Sequence, residues 1–422
     1  MKKQIYSIIA VAMAVTVWHA MPAFAAKIDV GGEVRARGYI VQSQDFTDDG
    51  DTNWLDVRAR LTTHISQGMT TGVFQIDLLG NSSATGGAVS NNGTLILGNA
   101  TGTSYNLVGV RQAYLAVKFP NATLIGGRYE VKLGNGLVLN DTSDIIAVTA
   151  PIGPVNLLVG YLVLAEDDAS IGGAHSAASS AADGAAFAVN AGLKNLADSG
   201  WDANLFIVSV HTNADPDEKL QVIGVTGDGK VGPANIKAEA DFFTGDATSS
   251  VGFEGTNFIL LGSLPVGPVG LNGGFLYATG QEAGAGADAN VTHIDGDFRA
   301  SNILIRDDFN NYEGISGLGD QGATGDLGLQ AIKVAATLQT FKFAGMSHTP
   351  EIGLVWAQTS EDDADGDSDL GTELYVNTNC VHDENLSSNI GIAFLSAGDA
   401  LVAGATDPED QLKLEASLTF HF

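Results

Sequence analysis

Residues 107–141 read LVGVRQAYLAVKFPNATLIGGRYEVKLGNGLVLND. From position 112 the side chains alternate. Gln112, Tyr114, Ala116 and Lys118 fall on one side, and Ala113, Leu115, Val117 and Phe119 on the other. A period of two belongs to a β-strand with one wet and one oily face. Pro120-Asn121 predicts a tight reversal, since proline fixes φ and asparagine tolerates turn geometry. On the return leg Arg128, Glu130 and Lys132 share one phase, with Ile125, Tyr129 and Val131 opposite. The reading is a hairpin too polar on one face for a soluble sandwich core and too regular for a loop. A wall between hydrocarbon and a watery lumen suits both faces.

The same rhythm runs outward in both directions. Ile28, Val30, Val34 and Ala36 oppose Asp29, Glu33, Arg35 and Arg37. Leu55, Val57, Ala59 and Leu61 oppose Asp56, Arg58 and Arg60. Continued to the C-terminus, the pattern predicts about 18 strands, an even number as single-chain bacterial barrels require. Connectors alternate between short (67–69, 120–121, 151–153, 227–231, 265–267, 344–350) and long, acidic ones (43–53, 80–106, 166–183, 280–328, 360–370, 397–410). Short periplasmic turns and long extracellular loops have that asymmetry. The expected fold is therefore all-β: a transmembrane antiparallel β-barrel with both termini in the periplasm. The longest loop carries a semi-apolar piece, 298–305, expected inside the lumen or over its mouth. The chain ends LEASLTFHF, with Leu414, Ala416, Leu418, Phe420 and Phe422 in one phase. Phe420 and Phe422 are expected to be the signal that the barrel-assembly machinery reads.

Composition bounds the remaining possibilities. The 422-residue chain opens with Lys2-Lys3, an apolar run over 5–18 and Ala23-Phe24-Ala25. That order predicts a signal peptide over residues 1–25, exporting a single barrel domain over 26–422. Beyond it no run of ~18 apolar residues predicts a spanning helix. Hydrophobic residues make up 45% of the chain and charged ones 16%, so apolar content is thin and alternating rather than gathered in blocks. The 53 glycines suit tight turns and small lumen-facing positions. Cys380 is the one cysteine, which excludes an intrachain disulfide, and it is expected to be inert. A net charge of −29 argues against nucleic acid as a partner. It argues equally against docking on anionic lipid without divalent ions.

Several segments together resemble the alginate-export-like porins of Gram-negative outer membranes. They are GGEVRARGYI (31–40), WLDVRARLTTHI (54–65), VRQAYLAVKF (110–119), IGGRYEVKLGNGLVL (125–139), FLYATGQ (275–281) and a run over 370–401. The resemblance implies a monomeric barrel of passive transport. It also implies that Arg35, Arg37, Arg58, Arg60 and Arg128 are lumen residues of an arginine-rich conduit. The chain departs from that pattern after Arg128, where basic residues thin out and acids dominate, which speaks against alginate itself as cargo.

Among residues that could carry chemistry, these arginines share wet faces with Glu33, Asp56, Glu130 and Lys132. Guanidinium groups facing carboxylates make a transverse field that sets ion preference and orients dipolar solutes. The bland alternative is a set of structural ion pairs in a filled lumen. Arg111 falls on the apolar phase and is expected at the extracellular rim. The loop Asp363, Asp365, Gly366, Asp367, Asp369 spaces oxygen ligands around a glycine, as calcium prefers, but lacks the bidentate glutamate of an EF-hand. A second acidic loop holds Asp45, Asp48, Asp49 and Asp51. Calcium bridging such loops to lipopolysaccharide is one expectation, and plain solvation the other. Residues 227–232, GDGKVG, match G-x-G-x-x-G formally, but Pro233 and a strand follow, so a hairpin turn is expected there. No nucleophile elbow, HExxH or paired-cysteine motif points to an enzyme. The leading expectation is an outer-membrane diffusion channel for small hydrophilic or charged solutes with an Arg/acid constriction. The alternative is a plugged barrel whose acidic loops bind calcium, lipopolysaccharide or a partner.

Overall fold

Period-two patterning becomes eighteen long strands and three pieces of two or three residues. The computed structural model describes residues 26–43, 46, 51–81, 95–96, 105–164, 184–196, 199–212, 219–248, 251–280, 289–290, 301–304, 327–362, 366–401 and 408–422. The expected leader, 1–25, lies outside them, as do Asp45, Asp48, Asp49, Asp363 and Asp365. The strands are β1 (Lys27–Gln42), β2 (Thr52–Gln67), β3 (Thr70–Asn81), β4 (Tyr105–Phe119), β5 (Ala122–Leu133) and β6 (Leu139–Ile152). Then come β7 (Val155–Leu164), β8 (Gly184–Leu193), β9 (Asp202–Thr212), β10 (Lys219–Val231), β11 (Ala234–Thr248) and β12 (Val251–Val266). The last six are β13 (Val269–Ala278), β14 (Leu329–Thr337), β15 (Met346–Gln358), β16 (Asp369–Val381), β17 (Leu386–Ala397) and β18 (Gln411–His421).

Each strand pairs antiparallel with its neighbour in sequence, and β18 returns to β1. The closing ladder runs from Glu33 opposite His421 to Gln42 opposite Leu412. Phe422 adds two backbone hydrogen bonds to Gly32, so the final residue joins the seam. Closure pairs the backbone groups that an open edge would leave bare in hydrocarbon. The outer face is apolar: Leu115 and Phe187 in mid-strand, and Leu414, Leu418 and Phe420 at the end, are all exposed. That matches the alternation expected of β1, β2 and β18.

Two details of register depart from expectation. Residues 227–231 lie within β10, and the turn falls at 232–233. Gly229 lies in the strand against the Trp201 ring, where a Cβ would come within 2.3 Å of a ring atom, so glycine is required there. Arg111 is not a rim residue of the apolar phase. Gln75 pairs Gln112 but Ile76 pairs Val110, so Arg111 is the extra residue of a β-bulge, and the phase breaks there.

The interior is less watery than the alternation suggests. One apolar cluster joins inward residues of β5 to β11, among them Leu162, Phe206, Val222 and Phe243. Another spans β12 to β17 with Ile259, Leu276, Val355 and Leu395. Two inward segments complete them. Residues 134–138, the tip of the β5–β6 hairpin, place Leu137 in the second cluster and Val138 in the first. Residues 301–304, from the longest loop, bury Ile303 and Leu304 in the second. The described part of the semi-apolar piece, 301–304, thus lies inside the barrel, while 298–300 and 305 fall outside the described residues.

Candidate functional site

The charged sector of the interior is built on β1, β2, β3 and β18. In β1 and β2 the register sets Glu33 opposite Arg60, Arg35 opposite Arg58 and Arg37 opposite Asp56. Inward side chains of neighbouring strands stand about 5 Å apart when directly opposite and about 7–8 Å on the diagonal, within reach of an arginine. Between β1 and β2, Arg58 takes its diagonal partner rather than the directly opposed one. Arg58 Nε donates to Glu33 Oε1 at 3.1 Å. Arg60 forms a fork on Asp77 of β3, with Nε to Oδ1 and Nη2 to Oδ2 both at 2.6 Å. Bidentate geometry is the strong form of this pairing. Arg37 is buried and its guanidinium lies 5.2 Å from the Tyr39 ring centroid, with Lys413 5.1 Å from the same ring.

Arg35 and Arg37 line an interior cavity of about 400 Å³. Glu351, Tyr375, Lys333 and Glu415 line it as well. Tyr375 donates to Glu351 Oε1 at 2.7 Å, Thr337 donates to Oε2 at 3.0 Å, and Lys333 Nζ lies 3.8 Å from Oε1. A second cavity of about 440 Å³, lined by Glu33, Arg60, His64 and His421, continues along β1 toward the end with the short turns. The polar space therefore runs along β1 and is faced by side chains of β14 to β18, with both cationic and anionic groups on it.

Above this sector, 301–304 is fixed by Glu373 of β16. Its carboxylate accepts from three successive amides: Asn302 at 2.8 Å, Ile303 at 3.0 Å and Leu304 at 3.0 Å. Asn302 exchanges side-chain hydrogen bonds with Asn377, and its carbonyl accepts from Lys413. Glu373 is fully buried, so the loop's N–H groups replace the water it gave up.

The expected positions sort unevenly. Glu33, Arg35, Arg37, Arg58 and Arg60 are brought together on β1 and β2. Asp56 shares their phase through its register with Arg37. Arg128, Glu130 and Lys132 lie on the face opposite Ile125 and Val131, yet Glu130 is within electrostatic reach of Arg60 and Lys132 of Glu239, both inside the barrel. Ile125 and Val131 face inward into the apolar cluster, and Tyr129 packs against it, edge-on to Tyr114. The reason is a departure from the wall. Pairing of β5 with β4 stops at Ala113 and Arg128, while β5 and β6 stay paired up to Leu133 and Leu139. Gly127 has φ 119°, and a Cβ there would strike the Ala113 carbonyl, so only glycine permits the bend. Beyond it the hairpin turns into the barrel. Its charged face then meets Gln112, which donates to Glu130 at 3.0 Å, and Arg111, 3.9 Å from Glu130. Arg128 lies 3.7 Å from Asp144. Where β5 has left, Leu95 and Ile96 pair with the bared edge of β4.

Sequence reasoning missed Asp77, Glu351, Glu373 and Tyr375, though each holds the inward phase of its strand. It missed the inward tip 134–138 altogether, whose signal is the paired glycines of GNG followed by three apolar residues. At the acidic loop, Asp369 accepts from the Gly371 amide at 3.0 Å. The described residues hold no group of three or more His, Cys, Asp or Glu placed to share a metal ion.

A closed antiparallel barrel of eighteen strands with short turns at one end is the fold of outer-membrane porins. No protein-family model matches the chain, and no curated protein sequence does. Solved structures match along nearly all of it. The outer membrane protein OpdK from Pseudomonas aeruginosa aligns with TM-score 0.53 at 14% identity, over 93% of this chain and 99% of that one. OccAB4 from Acinetobacter baumannii aligns with TM-score 0.60 at 11% identity, over 93% and 98%. OccK8 (OprE) from P. aeruginosa gives 0.56 at 14%, over 94% and 98%. These neighbours are Opd and Occ proteins rather than alginate exporters. The alginate-export resemblance is thereby corrected to the broader likeness of a porin fold.

Proposed function

We propose that the chain is an outer-membrane channel through which small hydrophilic or charged solutes diffuse along the polar sector of β1, β2, β3 and β18. The observation that carries this reading is the pair of interior cavities running along β1, bordered by Arg35, Arg37 and Arg60 with Glu33, Glu351 and Glu415. A conduit that only had to be filled would bury apolar side chains there, as the two apolar clusters do. Guanidinium groups favour carboxylates by bidentate contact, and the facing acids favour a cationic or dipolar end. One solved neighbour is OpdK with vanillate, an aromatic carboxylate, which makes benzoate-like anions a rational first solute. In this reading the short turns face the periplasm, and Phe420 and Phe422 serve barrel assembly. Asp363, Asp365, Asp367 and Asp369 bridge calcium to lipopolysaccharide phosphates.

The two inward segments favour one competing reading, a plugged barrel that acts through its loops. Conductance of the refolded protein in planar bilayers separates them. Discrete steps that benzoate interrupts support the channel, and the Arg35→Ala/Arg37→Ala variant should lose most of that interruption. A silent bilayer with correctly folded protein would leave the plugged barrel standing.

A further inference from the structure

Between β10 and β12 the wall buries two carboxyl groups that the polar path does not use. Glu239 and Asp241 lie two residues apart on the inward phase of β11, 1% and 0% exposed. They lie against one another. Glu239 Oε2 accepts from the Asn135 amide of the hairpin tip, while Asn135 Nδ2 donates to the Ala238 carbonyl at 3.2 Å. The Leu137 amide and the Asn135 side chain also bond to Glu239, whereas the oxygens of Asp241 meet no donor among the described residues beyond the Glu239 carboxyl itself.

The neighbours of Asp241 leave room for it and offer more oxygen. Gly224 is its partner on β10, where a Cβ would stand 2.4 Å from Oδ1. Asn257, fully buried, is its partner on β12. Lys132, whose ammonium group sits beside Gly136 at the tip, is the cation whose charge reaches Glu239. One ammonium group does not balance two carboxylates. Ionised carboxylates withdrawn from water cost several kcal/mol each unless compensated. Carboxylate and amide oxygens are the ligands of a hard cation, and calcium takes them at about 2.3–2.6 Å with water completing the shell.

We infer that Glu239 and Asp241, with Asn257 beside them, bind a calcium ion beneath the hairpin tip 134–138. The ion holds the Glu239 carboxylate with Oε2 turned to the tip, so it ties the tip to the far wall. This site is separate from the acidic loop 363–369 and does not depend on solute transport.

The test uses the full barrel refolded in detergent, stripped with chelator and titrated with calcium. A companion variant combines Asp363→Asn, Asp365→Asn, Asp367→Asn and Asp369→Asn. Calcium should raise the melting temperature of both by roughly 3–6 °C. Asp241→Asn should abolish the rise in the loop-variant background, and atomic absorption should find one fewer calcium per barrel. Should Asp241→Asn fail to refold, Glu239→Gln carries the same comparison. A loop variant that ignores calcium, or an Asp241→Asn protein that still responds, overturns the site. So does a melting temperature blind to calcium that falls as pH rises past neutrality, which assigns a shared proton to the pair.

Discussion

Arg60 closes a fork on Asp77 while also lining a cavity, and Arg35 and Arg37 line the neighbouring one, so in the proposed channel these pairings set which charges a solute meets. A fork with both carboxylate oxygens engaged presents little field outward, because the opposite charges cancel within a few ångströms. Removing the acid while keeping the guanidinium uncovers the charge. Asp77→Asn should therefore shift the reversal potential in a salt gradient toward anions, with a permeability ratio changed roughly two- to fivefold. An unchanged reversal potential would place Arg60 outside the ion path. Glu373 acts differently, since it serves the loop and not the solute. Glu373→Ala leaves three amides, two of them buried, without an acceptor, a loss of about 2–4 kcal/mol. Urea unfolding in lipid should register it, together with noisier conductance as 301–304 comes loose.

At the scale of elements, the β5–β6 hairpin is the strand pair that leaves the wall and folds into the barrel. It is held at its root by the bend at Gly127 and at its tip by Glu239, six strands further along the ring. Gly134 is the tight point: its φ is 58°, and a Cβ would come 2.7 Å from Glu239 Oε1. A β-branched residue fits neither the conformation nor the space. Gly134→Val should swing the tip away and raise single-channel conductance about twofold, as an inward loop that narrows the pore demands. Heat-modifiable gel migration should be unaltered, because the wall ladders of β5 and β6 stay intact. Equal conductance in variant and wild type would show that the tip does not narrow the path.

For the whole molecule, closure and charge are the governing quantities. The seam between β1 and β18 ends on Phe422, whose amide and carbonyl both bond to Gly32. Deleting Phe422 should sharply lower the yield of heat-modifiable barrel, by impairing assembly more than by the stability of two hydrogen bonds, each worth about 1 kcal/mol. Net charge of −29, with acids concentrated in the long loops, should enrich cations at the mouth. The effect belongs to low ionic strength, where screening extends beyond about 10 Å. Cation preference measured at 0.1 M salt should fade at 1 M while the conductance steps persist.

Period-two alternation was enough by itself to determine the closed barrel, its strand number, the alternation of short and long connectors and the outward faces of β1, β2 and β18. Lipid on one side and protein on the other act on every residue of a wall strand in turn, so the pattern is written locally. The shared phase of Glu33, Arg35, Arg37, Arg58 and Arg60 was legible for the same reason. What only the tertiary structure decided lies where a strand leaves the wall. The Arg111 bulge breaks the phase and the Gly127 bend takes the residues after it into the barrel, and neither follows from alternation. The partnership of residue 135 with 239, or of 302 with 373, joins segments far apart in sequence. Such contacts depend on how far across the lumen a bent hairpin reaches, a distance set by the closed ring and not by any stretch of the chain.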